Sequence, residues 1–163
     1  PLVANGRGVG LTPEVLASLG SRHLAEHVQR IERSLADDPA QAIGSAKELL
    51  ESTLKTILEG LNIGYGKSDE IPQLLKAVQT ALELAPSDIH AQKKGAEVIK
   101  KTLSNLGSVA IGIAELRNLY GTVHGKGSTH KGLTVRHARL AVSASAALCM
   151  FLLETYEAKA KVS

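Results

Sequence analysis

Apolar residues recur at steps of three and four along most of the chain, the spacing that gathers side chains on one face of an α-helix. Thr12 and Pro13 read as the cap and first residue of a short helix ending near Gly20. Ser21 caps a second helix, striped by Leu24, Val28, Ile31 and Leu35. Asp37, Asp38 and Pro39 end it and start the next, where Ile43, Ala46, Leu50, Ile57 and Leu61 form the stripe with Leu54 and Leu58 beside it. Residues 60–70 read as a glycine-containing loop, and Pro72 opens a shorter helix carrying Leu75, Val78 and Leu82 that stops before Pro86.

Ser87 caps what reads as the longest element, with Ile99, Leu103, Leu106, Ala110 and Ile113 at a/d-like positions of a bundle seam. Gly95, Gly107 and Gly112 weaken it or let a neighbouring helix approach. Residues 125–132 form a loop, and Thr134 caps a last helix striped by Ala141, Ala144, Leu148 and Phe151. The expectation is an all-α fold: an antiparallel bundle of four to five main helices, with residues 1–11 a flexible lead-in and 12–163 a single helical domain.

Composition sharpens this. Leu and Ala make up more than a quarter of the chain, while only three Tyr and one Phe are present, so a large β-sheet is disfavoured. The lone Cys149 excludes an intrachain disulfide and suits a reducing compartment such as the cytoplasm. No unbroken run of about 18 apolar residues appears, so no membrane span is expected. The opening residues PLVANGRGVG lack the apolar core of a signal peptide.

The formal net charge of +3 is unevenly spread. From Arg117 to Arg139 the chain carries Arg117, Lys126, Lys131, Arg136 and Arg139, three histidines and no Asp or Glu, so the rest is close to neutral. A cationic block on a near-neutral scaffold points to one anionic ligand at one site.

The seam of the long helix, continued at steps of four and three, reaches Arg117, Tyr120 and His124, with Gly125 a suitable C-terminal stop. Extending the last stripe backwards from Ala141 gives His137, flanked by Arg136. The short connection between them should bring these residues together at one end of the bundle, beside a helix N-terminus that favours anions. A solvated helix end is the plainer explanation for any one of them; four converging from two helices weigh against it. The chemistry such residues suit is metal-free cleavage of RNA through attack by the 2′-hydroxyl. His124 would act as base or acid, Arg117 would hold the phosphate, and Asn118 would orient either group. Seam-facing carboxylates are missing nearby, which leaves a Mg²⁺ site unsupported. With so few rings, RNA would be held through its backbone by Tyr120, Lys126, Lys131, Arg136, His137 and Arg139.

The strings RNLYGTVHGKG (117–127) and VRHARLAVSASAALCMFLLETYEA (135–158) resemble the C-terminal domain of abortive-infection proteins, within the HEPN superfamily of helical nucleic-acid-processing domains. The similarity covers about residues 40–158. Arg117, Asn118 and the six-residue gap to His124 fit that family's arginine–polar–histidine signature. The resemblance implies a metal-independent endoribonuclease without a cofactor, a phage-defence toxin whose motifs pair across a homodimer, with a neutralising or regulatory partner. It equally admits a non-catalytic module that dimerises or binds an anion or a partner.

Other signals carry less. His23-Leu24-Ala25-Glu26-His27 matches an H-x-x-E-H zinc pattern, but no third ligand is identifiable and a solvated helix face is the expectation. GTVHGKGS (121–128) lacks the spacing and the preceding strand of a phosphate-binding P-loop. Lys93, Lys94, Lys100 and Lys101 read as a solvated face able to touch RNA.

Overall fold

A computed structural model describes residues 22–82, 96–120 and 134–162. These form five packed helices and no strand among the described residues: α1 (Arg22–Ser34), α2 (Pro39–Gly60), α3 (Ile71–Ala81), α4 (Ala96–Tyr120) and α5 (Val135–Val162). The expected helix from Thr12, the lead-in, the Ser87 cap and the extension of α4 to His124 lie outside the described residues.

The boundaries follow local chemistry. The Asp38 carboxylate accepts from the Gln41 backbone N–H at 3.0 Å, and Pro39 occupies the first turn, where its missing N–H costs nothing. α3 starts with a reciprocal cap between Glu70 and Gln73. The preceding loop is held by Tyr65 donating to Glu59 at 2.6 Å and by the Gly66 N–H donating to Asp69 at 2.7 Å.

α2 is the hub, in contact with all four other helices. Leu50, Leu54, Ile57 and Leu58 on α2 meet Leu24, Val28 and Ile31 from α1, Leu74 and Val78 from α3, and Leu148 and Leu152 from α5 in one core. Matching pairs along the chain set directions. Ile43 packs with Ala138 and Ala141, the Ser145 hydroxyl donates to the Ala46 carbonyl at 2.8 Å, and a Cβ on Gly60 would collide with the Tyr156 ring. α2 and α5 therefore run parallel, whereas His27 beside Ser52 and Arg30 beside Glu48 set α1 antiparallel to α2. At the other end of α5, the Lys159 ammonium donates at 2.7 Å to the Ala81 carbonyl, one of the carbonyls a helix C-terminus leaves open.

The element expected from the Ser87 cap runs into residues outside those described at both ends; among the described residues α5 spans 28 and α4 spans 25. One expectation needs correction here. The buried face of α5 runs through Ala138, Ala141, Ser145, Cys149 and Leu152, so Phe151, expected in the core, is exposed. By length and composition α5 also qualifies as long and apolar enough to cross a membrane, although Ser143 and Ser145 interrupt its apolar run; 39% of its most apolar 18-residue window is buried.

Candidate nucleic-acid interface

The site begins with what pins two helix ends together. Leu116, near the end of α4, packs half-buried against Ala42, Ile43, Ala138 and Ala141. This small aliphatic cluster brings the C-terminal end of α4 to the N-terminal turn of α5, as the short connection required. Arg117, Asn118 and Tyr120 lie in the last turn of α4, directly after Leu116, with Asn118 exposed. His124, Lys126 and Lys131 lie outside the described residues.

On α5, Arg136 and Arg139 are exposed, and neither makes an ion pair among the described residues. His137 has a more specific place than its sequence neighbours indicated. Its Nδ1 receives the Thr134 backbone N–H at 3.2 Å and lies 3.0 Å from the Thr134 hydroxyl. A backbone N–H can only donate, so Nδ1 is the acceptor and the ring in this arrangement carries its proton on Nε2. His137 sits three residues after the cap, where Glu or Gln closes a capping box, and does the same work here. Only Nε2 remains to meet a ligand. The first N–H groups of α5 open beside it with the positive end of the helix dipole, a suitable neighbourhood for a phosphate.

Beside this end an open groove of about 400 Å³ runs between α4 and α5. Val109, Ile113, Leu116, Leu140 and Ala144 line it, with Glu115 its one charged residue. Sequence periodicity had not separated this exposed apolar strip from the core.

The His23/His27 reading changes too. His27 is buried, not solvated. Its Nδ1 lies 2.7 Å from the Arg30 guanidinium and 3.8 Å from Glu48, and its Nε2 lies 3.2 Å from the Ser52 hydroxyl. These contacts tie α1 to α2, and no group of three His, Cys, Asp or Glu side chains converges as a metal site among the described residues. Cys149 is fully enclosed between α2 and α5, and burial pushes its thiol up to about 12, against smaller opposing effects of hydrogen bonds with Thr53 and Ser145.

The fold defines an all-helical domain in which the exposed Arg136 and Arg139 stand at the start of α5, where the end of α4 meets it. The family model of the Abi_C HEPN-like domain matches residues 22–156, and the chain belongs to that family, the HEPN-like C-terminal domains of abortive-infection proteins. Neither a curated protein nor a solved structure matches it.

Proposed function

We propose that this domain is a metal-independent endoribonuclease, an abortive-infection toxin that cleaves RNA held at the cationic end of the bundle. What supports the reading is the Arg117–Asn118 pair at the end of α4, six residues before His124, in a member of the HEPN-like family. The junction of α4 with the start of α5 adds an anion-favouring helix terminus beside it.

In this reading His124 takes the proton of a ribose 2′-hydroxyl as that oxygen attacks the adjacent phosphorus. The Arg117 fork balances the charge growing on the non-bridging oxygens, and Asn118 orients one of the two. The P–O5′ bond breaks, leaving a 2′,3′-cyclic phosphate, and the departing oxygen takes up a proton. Tyr120, Lys126, Lys131, Arg136 and Arg139 hold neighbouring phosphates, and His137 joins them through Nε2. Such an enzyme acts in the cytoplasm and is restrained by a neutralising or regulatory partner.

The test is RNA degradation by purified protein in EDTA. Arg117→Ala or His124→Ala abolishes it while helix content stays unchanged; full activity in both variants would refute the assignment. The α4–α5 groove favours a second reading, a non-catalytic module that docks a partner. That reading predicts intact RNA with every substrate.

A further inference from the structure

The groove between α4 and α5 has a floor that this chain leaves unfilled. Gly112 stands in the middle of α4, where glycine is less stable in a helix than alanine. A Cβ added there meets nothing within 4 Å, so packing against the described residues does not call for a glycine. Leu116 on one side and Leu140, 66% exposed, on the other give the groove aliphatic walls. Its volume of about 400 Å³ lies within the range of small-ligand sites.

One polar side chain lines it. Glu115 is exposed and makes no hydrogen bond or ion pair among the described residues. On α5, Ala141 follows His137 by four residues, about 6 Å of rise on one face, so the groove adjoins the open N–H groups at the helix start. Arg136 and Arg139, exposed and without ion pairs among the described residues, flank that start. This charge suits a nucleotide: a phosphate held there leaves its own nucleoside within reach of the groove.

Resting on the reading that RNA lies at this end, we infer that the groove seats a guanine of the strand and that Glu115 reads its Watson–Crick edge. A carboxylate offers acceptors only. Guanine presents two adjacent donors, N1–H and the exocyclic N2–H, which meet the two carboxylate oxygens together. Adenine and cytosine set one amino donor beside an acceptor ring nitrogen, and uracil sets a single N3–H between two carbonyl oxygens. Each of those edges turns a lone pair toward the carboxylate. The faces of the base lie between the aliphatic walls, which bury them where the chain has few rings to stack. The bare Cα of Gly112 keeps the slot deep enough to admit it.

Fluorescence anisotropy with 2′-O-methyl uridine hexamers carrying one central guanosine, adenosine or cytidine tests this without catalysis, because the blocked 2′-oxygen cannot attack. The wild-type chain binds the guanosine hexamer about tenfold tighter than the all-uridine one, the low end for a bidentate pair. Glu115→Gln, which replaces one acceptor by a donor, brings that ratio to within about twofold. Gly112→Leu fills the floor and abolishes the preference with helix content unchanged. Equal affinity for the four hexamers, as a groove for a protein partner predicts, would overturn the inference and leave the RNA reading standing. So would a preference for adenosine or cytidine, or full preference for guanosine in either variant. Failure to bind any hexamer would overturn both.

Discussion

His137 separates two roles that the sequence merged. If its ring only touched RNA, replacing it would change binding and leave the fold alone. The structure instead has Nδ1 accepting the Thr134 N–H at 3.2 Å, closing the first turn of α5. Losing an N-terminal cap costs about 1 kcal/mol in typical helices. In a domain of this size that lowers Tm by roughly 3 °C. His137→Leu removes the acceptor and keeps apolar bulk, so it should show the full loss. His137→Gln supplies an acceptor at the position where Gln serves in capping boxes and should recover most of it. Thermal unfolding gives the global figure, and amide exchange over residues 135–138 locates it. Wild-type stability in His137→Leu, or a Gln variant as weak as the Leu variant, would refute the capping argument.

Two further outcomes follow from the α2–α5 contact. Ser145→Ala loses the bond to the Ala46 carbonyl and costs about 1 kcal/mol, because that carbonyl keeps its helical partner; Ser145→Val adds overpacking and costs about 2 kcal/mol more, both read by urea unfolding. Cys149 should resist iodoacetamide at pH 8 in the folded protein and react fully in urea, since only the thiolate attacks. The same burial sets a pH dependence. The folded thiol holds its proton to about 12 while the unfolded one releases it near its ordinary value of 9.0, so stability falls as pH rises above 9.0 and Cys149→Ala lacks that slope.

The helices were legible because their signals are local. Asp38-Pro39 marks a start through its own carboxylate and ring, Thr134 stands where α5 begins with its carbonyl accepting the first helical N–H groups, and the α1 stripe of Leu24, Val28 and Ile31 is buried as its spacing demands. What escaped depends on partners far along the chain. Phe151 was expected inside because a stripe of Leu and Phe outranks Ser and Cys in hydrophobicity. The buried face uses Ser145 and Cys149 because their small size lets α2 come close and Ala46 supplies a partner 99 residues away. His27 looked like a solvated residue for the same reason: Ser52, 25 residues on, satisfies it. At the candidate site, Leu116 and Ala138 meet as the short connection implied, whereas the capping role of His137 needed coordinates.

The most direct test of the central claim is the chemistry of the ends left on RNA cleaved in EDTA. Attack by the 2′-hydroxyl predicts fragments bearing a 2′,3′-cyclic phosphate and a 5′-hydroxyl, formed by the wild-type chain and absent with Arg117→Ala. Fragments with a 3′-hydroxyl and a 5′-phosphate, or RNA left whole by the wild-type chain, would contradict it.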